Sequence, residues 1–473
     1  MERGTAVAII DAIDRAFQTE MNMANNEWKQ NLVGMATDGA SVMVGARSGV
    51  TTRVRQDVNH LVGIHCTAHK LELCLKSAMK QSPSYSKIED FLIHIFKFYN
   101  NSPRNFAALK EAGNAHMIRV LKPSNVLGTR WIDHHKRAII RDWLPNVTHM
   151  QDIVTPGSDH TNDSKNKAHG FLANLKDFCF IKSMYILLDV YRNLGRLSLL
   201  FQRNDTSLQS VKNGIQQAID NFRVLAENPG PSETEFNEIL AANGGMNFHG
   251  GITLNETQRR RDQNADPELS KVMLINACID QINTRFRSFD DDPILDATKV
   301  FDPSNWPQNR DALRTYGVAQ INTLVTNFRD LLRRQPDFSE DDVALEWTGL
   351  KPVVSAIVNV DPRLRFLDIW QRVLRQNLAE FHSILLIVKI VLLIPIHTSE
   401  CERGFSVMGR IKSDWRATLN TDTLSDLIRI ALDGPRLEDF DLRRAIERWF
   451  RSCQRHPYIL PYGQREDSSS DDE

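Results

Sequence analysis

The sequence predicts an α/β segment followed by a large all-helical region. Two short apolar stretches, residues 32–36 and 61–64, each end in a polar cluster and continue into helical sequence, which is typical of parallel strands joined by crossover helices. From about residue 87 onward, apolar side chains recur at helical spacing. Because two strands alone do not make a stable sheet, we expect the α/β part to be incomplete or completed by other elements.

Length, charge and cysteine content limit the class of protein. The chain has 473 residues, more than the ~100–200 of one domain, which predicts two or three structural units. Its 58 Lys and Arg balance 59 Asp and Glu, giving a formal net charge of −1, so nucleic acid could be bound only through a local basic patch. Six scattered cysteines favour a reducing compartment. With an apolar run too short to span a bilayer and no signal peptide, we expect a soluble intracellular protein.

The periodicity also predicts individual elements. Residues 6–17 carry apolar side chains on one helical face, and residues 208–222 do the same, with Asp205 or Thr206 available as the cap. Further helices are predicted over residues 171–201, 269–289 and 311–334. The polar stretches near 155–170 and 227–267 are expected to be flexible linkers, and residues 463–473 an acidic disordered tail.

The first motif lies where the first strand ends, at Asp38 and Gly39. A carboxylate after a buried strand, followed by glycine, can hold a divalent metal through hard oxygen ligands. The alternative is that Asp38 caps a helix starting near Ala40. Spacing alone favours the cap.

The second motif places Cys66 and His69 after the second strand, with Cys74 further along. Cys and His within one turn could bind zinc, but structural zinc sites normally have two paired halves, and no second pair stands at a matching distance. A Cys/His nucleophile is less favoured, since neither a partner nor an oxyanion hole can be identified. The pattern favours local packing and hydrogen bonding.

The third motif is the pair Arg130 and Trp131, followed by basic residues and histidines. An indole beside a guanidinium can stack on an unpaired base while the cation contacts a phosphate. The alternative is a core tryptophan in a helical region, which spacing alone favours.

The fourth motif lies near the carboxyl end. It consists of the neighbouring residues Glu402 and Arg403, followed by a stripe of apolar residues at helical spacing. Thr421 or Asp422 could cap that helix, and Gly434 would end it. The stripe is core or a face shared with a second subunit. Its members are Leu424, Leu427, Ile428, Ala431 and Leu432.

Taken together and in this order, the four motifs resemble the hAT transposase superfamily and host proteins derived from it, in particular the domesticated vertebrate zinc-finger/hAT proteins. The resemblance is strongest over residues 32–80, 129–131 and 385–432. It implies an α/β ribonuclease-H-like fold, with its first strands missing, interrupted by an all-α insertion. Residues 1–120 would form the partial ribonuclease-H-like segment, 121–365 the helical insertion, and 366–450 the C-terminal dimerisation region that closes the fold.

The resemblance also implies site residues. The family cleaves DNA with an Asp-Asp-Glu triad holding two metal ions, in which Asp38 matches the second aspartate and Glu402 the glutamate. Cys66 and His69 match the structural Cys-x-x-His element, and Arg130 and Trp131 match the DNA-binding pair. The stripe from Leu424 to Leu432 matches the dimerisation helix.

The chain departs from the family pattern at its start. The first aspartate of the family lies on a strand that should precede residue 32, and Asp11 and Asp14, on a predicted helix, do not replace it. We therefore expect an N-terminally truncated, domesticated pseudo-enzyme that is catalytically incomplete. No cofactor is expected, and Mg²⁺ would bind only if a complete triad formed.

The resemblance implies a nuclear protein, or otherwise a cytoplasmic one. Its expected partners are a second copy of itself, in a homodimer or larger assembly, together with DNA and unspecified nuclear proteins, but no membrane. Two alternatives stay open. One is a metal-dependent DNA transposase or nuclease, active when a longer form supplies the missing strands. The other is a protein-interaction scaffold without a nucleic-acid role.

Overall fold

The computed structural model describes residues 4–121, 140–203, 205–256, 266–413, 416 and 418–452. Most of these residues lie in helices, and they include one sheet of two parallel strands. The prediction of a largely helical chain is therefore confirmed. The predicted acidic tail lies outside the described residues. The chain divides into two compact units, one up to Thr398 and the other from Ser399.

The sheet pairs β1 (Gly34–Thr37) with β2 (Val62–His65) in parallel. Gly34 stands opposite Val62, and Thr37 stands opposite His65. The crossover contains the helices α3 (Ser41–Val44) and α4 (Val50–Asp57). Both strands begin slightly later than the apolar pattern predicts, but their order and their position before helical sequence are as expected.

A small apolar cluster supports the first strand. It joins α1 (Ala6–Met21) and α2 (Glu27–Gln30) to α4. Phe17 stacks on the buried Trp28, with ring centroids 5.3 Å apart. The helix predicted over residues 6–17 therefore exists and continues to Met21, where Asn22 adopts a left-handed conformation at φ 52°.

The later regular elements among the described residues of the first unit are helices. Helix α5 (Thr67–Lys80) follows β2 directly. The later helices of this unit are α6 (Pro83–Asn100), α7 (Pro103–Ala115), α8 (Trp143–Val154), α9 (Asn162–Leu175), α10 (Phe178–Phe201), α11 (Leu208–Glu227), α12 (Pro231–Ala242), α13 (Pro267–Phe286), α14 (Ser288–Asp291), α15 (Pro293–Thr298), α16 (Arg310–Thr315), α17 (Val318–Asn327), α18 (Arg329–Leu332), α19 (Val343–Val360), α20 (Phe366–Arg375) and α21 (His382–Leu392).

The core of this unit contains three buried tryptophans whose indole N–H groups are satisfied. Trp143, Trp347 and Trp370 are fully buried. Their indole N–H groups donate to backbone carbonyls at 2.9, 2.8 and 2.9 Å respectively. Because a buried indole retains its large apolar contact area only if its N–H finds an acceptor, these bonds fix where the helices carrying the tryptophans can pack.

Helices α5 and α13 pack against each other and hold the end of the sheet. The apolar faces of both are buried, including Leu71 and Leu75 on α5 and Ile282 on α13. At the polar margin, Arg285 Nη2 donates to Ser77 Oγ at 2.9 Å. Since α5 starts two residues after β2, this packing fixes the direction in which the strand ends point.

The stretches predicted to be linkers carry helices. Helix α9 begins inside the stretch 155–170 and continues to Leu175. Its N-cap is Thr161, whose Oγ1 accepts from the N–H of Ser164 at 3.2 Å. Helix α12 lies within 227–267, and the buried carboxylate of Asp189 accepts from the N–H groups of Ser232 and Glu233. The prediction of linkers from composition was wrong here, because polar residues, glycine and proline are also common where helices begin.

Other helix boundaries also differ from the prediction. Ser207, and not Asp205 or Thr206, caps α11, since its Oγ accepts from the N–H of Ser210 at 3.0 Å. The helix expected over 171–201 is divided at Asp177, which caps α10. The helix expected over 311–334 is three short helices, α16 to α18. Within the described ranges, no helix is both long and apolar enough to cross a membrane.

The described residues of the second unit contain the α-helices α22 (Ser399–Ile411), α23 (Thr421–Asp433) and α24 (Leu442–Arg451). Helices α22 and α23 pack against each other. The N-cap of α23 is Asn420, one residue before the predicted Thr421, and the helix ends at Gly434 as predicted. Among the described residues of this unit, only Ser399 and Val407 are buried.

Replacing Glu233 with Gln should lower the free energy of unfolding by about 3 kcal/mol, because it removes the nearer of the two carboxylates that pair with the buried cation of Lys271. The other carboxylate, of Glu268, lies 3.9 Å from Lys271 Nζ. Lys271 Nζ lies 2.8 Å from Glu233 Oε2, and both side chains are 2% exposed. Urea denaturation measures the change. Glu238→Gln, at an exposed position of the same helix, is the control and should be nearly neutral. Equal stability of the two variants would contradict this assignment.

Candidate functional site at the strand ends

The carboxyl ends of the two strands bring the first two sequence motifs together. Thr37 and His65 are register partners, and the N–H of Cys66 donates to the carbonyl of Thr37 at 2.8 Å. Asp38 and Cys66 therefore follow neighbouring strands at the same edge. In open parallel sheets, ligands bind at this edge.

Asp38 is exposed, and its carboxylate is engaged in a local turn. Its Oδ1 accepts from the N–H of Ala40 at 3.1 Å, the pattern of an Asx turn. The N-cap of α3 is Ala40, which makes no side-chain capping bond. The predicted interaction of Asp38 with the following backbone is therefore present, but as a turn before the helix and not as its cap.

Gly39 allows the imidazole of His65 to approach the backbone closely. A Cβ atom at Gly39 would lie 2.6 Å from His65 Cε1 and 2.7 Å from His65 Nε2. That Nε2 is buried and has no hydrogen-bond partner among the described residues. The glycine after Asp38 is thus required by packing against a side chain of the neighbouring strand.

The electrostatic surroundings of His65 keep its imidazole neutral. Burial lowers its pKa to about 4, assisted by the positive charges of Lys70 and Arg285 and by His69, while Asp38 acts in the opposite direction. The two histidine rings lie 5.6 Å apart. A neutral imidazole can donate through one ring nitrogen and accept through the other.

Cys66 connects the sheet to a later segment of the first unit. The buried Sγ of Cys66 accepts from the N–H of Thr398 at 3.4 Å. The N–H and Oγ1 of Thr67 both donate to the carbonyl of Ile396, at 3.4 and 3.3 Å. His69 Nδ1 lies 4.0 Å from Glu72 Oε2. Within the described ranges, no group of three or more His, Cys, Asp or Glu residues is arranged to hold a metal ion.

Lys70 and Arg285, which the sequence analysis did not name, contribute to this edge together with Cys74, which it named only as a later cysteine of the second motif. Lys70 is buried, its Nζ donates to Ser288 Oγ at 2.9 Å and lies 4.7 Å from the ring centre of Phe289, and burial lowers its pKa. Burial raises the pKa of Cys74 to about 12, so that thiol is not a nucleophile at neutral pH. Arg285 comes from α13, and no local pattern links it to this edge.

Glu402 lies in the second unit, on α22, and is half-buried. Its neighbour Arg403 pairs with Glu400 one turn earlier. Asp38 lies in the first unit. The two acids that the resemblance assigns to the triad thus belong to different units. Arg130 and Trp131 lie outside the described residues.

The predicted dimerisation stripe lies on α23. Leu424, Leu427 and Ile428 are half-buried, whereas Ala431 and Leu432 are exposed. A Cβ atom at Gly404 of α22 would lie 3.9 Å from Leu432 Cδ1. The stripe thus varies in exposure along its length, and α22 approaches its distal end.

Helix α24 carries an exposed apolar face that the sequence analysis missed. Leu442, Ile446, Trp449 and Phe450 are 56%, 52%, 50% and 56% exposed. Their spacing places them on one side of the helix, opposite a face of arginines, at Arg443, Arg444, Arg448 and Arg451. Phe405 and Ile430 of the same unit are 61% and 68% exposed. The i, i+4, i+7 spacing was a signal visible in the sequence.

No protein-family model matches this sequence. The resemblance to the hAT superfamily therefore rests on the four motifs themselves.

Stability should fall as the pH drops from 7 to 5. The folded pKa of His65 is lowered to about 4, below the value of about 6.5 in an unfolded chain. Between these values the unfolded chain binds a proton that the folded chain does not, so stability is complete above about pH 6.5 and is lost toward pH 4. His149, with its pKa also lowered to about 4 by burial, adds to this loss.

Urea unfolding at pH 7 and pH 5 tests this expectation. His65→Asn should remove part of the decrease in stability between the two pH values. An NMR titration of the His65 imidazole provides an independent readout. Two results would show that the surroundings do not hold the ring neutral. One is a titration midpoint near pH 6.5, and the other is a His65→Asn variant that loses as much stability between pH 7 and pH 5 as the wild type does.

Proposed function

We propose that this chain is a hAT-transposase-like protein that acts through self-association of its C-terminal helices and does not cleave DNA on its own. The observation that carries the proposal is the exposed apolar surface of residues 399–452. We use the name C-terminal apolar surface for six exposed apolar side chains, of which the last four share one face of α24: Phe405, Ile430, Leu442, Ile446, Trp449 and Phe450.

Leaving these apolar side chains in water is costly. Burying one large apolar side chain contributes about 1.5–3 kcal/mol, and four of the six residues lie on one helix. Monomeric proteins rarely expose large continuous apolar patches, and those that exist often mark interaction sites. Tryptophan, represented by the half-exposed Trp449, is enriched among the residues that dominate binding energy.

The charges around this surface suit a second copy of the same chain. Helix α24 carries four arginines and one glutamate, Glu447. The segment before it is acidic, with carboxylates at Asp422, Asp426, Asp433, Glu438, Asp439 and Asp441. In a two-fold symmetric dimer, a contact between two different segments of the two copies occurs twice. If the acidic segment of one copy faces the basic helix of the other, the same pairing therefore forms again with the copies exchanged.

The surroundings of Asp38 support the proposal that the chain does not cleave DNA by itself. Two-metal catalysis needs several carboxylates around cations ~4 Å apart. Asp38 is instead an exposed residue bonded to the backbone of Ala40, beside the uncharged His65. We propose that β1, β2 and their crossover are part of a ribonuclease-H-like platform, which the parallel pairing supports. Its insertion would be residues 121–365, which contain the helices α8 to α19.

Replacing Ile446 and Trp449 with Asp should convert an oligomer to a monomer, because two charges would then have to be buried in the interface. Light scattering coupled to size exclusion measures the mass. These positions are more exposed than Leu427 and Ile428, which are half-buried within the unit.

The control for this experiment is the double variant Leu345→Asp with Val360→Asp. These two apolar residues are 75% and 84% exposed on α19 of the first unit, so the chemical change is the same at a different place. The control should keep the oligomeric mass. A C-terminal variant that also keeps the wild-type mass would remove the support for this interface.

Asp38→Asn should leave both stability and any Mg²⁺-dependent action on DNA unchanged. The amide oxygen of Asn can still accept from the N–H of Ala40, so the turn is preserved. Urea unfolding and a nicking assay on supercoiled DNA with Mg²⁺ measure the two properties. Cleavage by the wild-type chain that the variant abolishes would identify Asp38 as a metal ligand and reverse the proposal.

A further inference from the structure

A cleft in the first unit lies apart from the strand ends. Its volume is about 770 Å³, and it lies between the end of α6 and the starts of α7 and α9. We refer to it as the α6–α9 cleft, defined by His94, Lys97, Arg104, Asn105, His160 and Lys167. None of the motifs in the sequence analysis includes these residues.

Two helix N-termini meet at this cleft. Ser102 caps α7, a helix of 13 residues, and Thr161 caps α9, a helix of 14 residues. Both caps line the cleft. The first-turn N–H groups of a helix have no acceptor within the helix, and the aligned peptide dipoles leave a partial positive charge there. Together these features make helix N-termini suitable for binding anions.

Side-chain charges reinforce the positive character of the cleft. Lys97, Arg104 and Lys167 line it, against the single carboxylate of Asp159. Arg104 pairs with Asp159 at 3.3 Å, and Lys167 pairs with Asp163 at 2.6 Å. Within the part of the chain that the structure describes, the ammonium group of Lys97 makes no hydrogen bond or ion pair. A cation without a partner beside two helix N-termini is suited to an incoming anion.

Asn105 provides an independent indication of a ligand. The residue is 8% exposed, and its backbone N–H donates to Ser102 Oγ at 3.2 Å. Its carboxamide faces the cleft and has no hydrogen-bond partner among the described residues. The amide oxygen and nitrogen of Asn105 are not among the buried polar atoms that lack a partner, so they are open to the cleft and can bond a group that enters it.

Two aromatic rings give the cleft an apolar wall. Phe98 and Phe171 line it, with their centroids 5.5 Å apart in an edge-to-face arrangement. A ligand that fits this surface carries an anion at one end and an apolar ring at the other. We propose that the α6–α9 cleft binds a nucleotide, with the phosphate at the two helix N-termini and the base against Phe98 and Phe171.

This proposal goes beyond the proposed function, because self-association uses only residues of the second unit. The nucleotide could be free or part of a nucleic-acid strand. Two fluorescent probes separate these sources: a methylanthraniloyl derivative of ATP, and a labelled single strand of oligodeoxythymidine. Fluorescence anisotropy of the full chain with each probe gives the dissociation constant.

The first test removes the cations. Lys97→Gln with Lys167→Gln should raise the dissociation constant of the binding probe by roughly tenfold or more, since bonds from charged groups are lost. The control is Lys87→Gln with Lys165→Gln, which changes the net charge equally on the same two helices. Neither control residue lines the cleft, so its dissociation constant should stay within about twofold of the wild type.

The second test separates binding from folding. Ser164 is the third residue of α9, three positions after the cap Thr161. Ser164→Glu creates the pattern of a capping box, in which a glutamate at this position stabilises the helix start. It also places a negative charge at the proposed phosphate position. The variant should therefore retain or gain thermal stability and lose nucleotide binding.

The outcomes decide between the alternatives. Binding of the ATP derivative alone identifies a free nucleotide, and binding of the oligonucleotide identifies a strand; in both cases Ser164→Glu must abolish it. The proposal is overturned if neither probe binds below about 1 mM, or if Ser164→Glu binds as the wild type does. Repeating the measurement in the monomeric Ile446→Asp, Trp449→Asp variant shows whether the cleft works without self-association.

Discussion

The packing of α5 against α13 is the interaction on which the first unit depends. A two-stranded parallel sheet is not stable by itself, so the helix that follows β2 must be anchored elsewhere. Its anchor is some 200 residues further along the chain: Lys70 bonds Ser288, the thiol of Cys74 donates to the carbonyl of Gln281 at 3.4 Å, and Ser77 bonds Arg285. The same contacts bring positive charge to His65, so the core packing and the electrostatics of the strand ends have one origin.

The spacing of apolar residues in the sequence predicts many of the helices and strands, but it does not predict where the helices begin and end. The spacing of apolar residues located α1, α11 and both strands, because one face of each packs on a core and the period shows that face. It did not find the start of α12, which is capped by Asp189 from another helix. A cap supplied across the fold leaves no local pattern, whereas a cap such as Thr161 does and was overlooked in polar sequence.

The sequence predicts which residues lie at the strand ends, but it does not predict their protonation states. Asp38 and Cys66 follow successive strands, and parallel pairing necessarily brings them to one edge. The neutral state of His65 depends on burial and on Arg285, which are properties of the folded chain. For α24 the reverse holds: the amphipathic spacing is visible in the sequence, but only the structure shows that its apolar face is exposed.

Hydrogen–deuterium exchange at two protein concentrations tests most directly whether the C-terminal apolar surface is an interface between copies. Amide exchange in α24 reports on whether this helix is covered, and association depends on concentration while folding of a monomer does not. We predict that raising the concentration slows exchange in residues 442–451 and leaves α5 and α13 unchanged. Exchange in α24 that is equally slow or equally fast at both concentrations, with a monomeric mass throughout, would contradict the account.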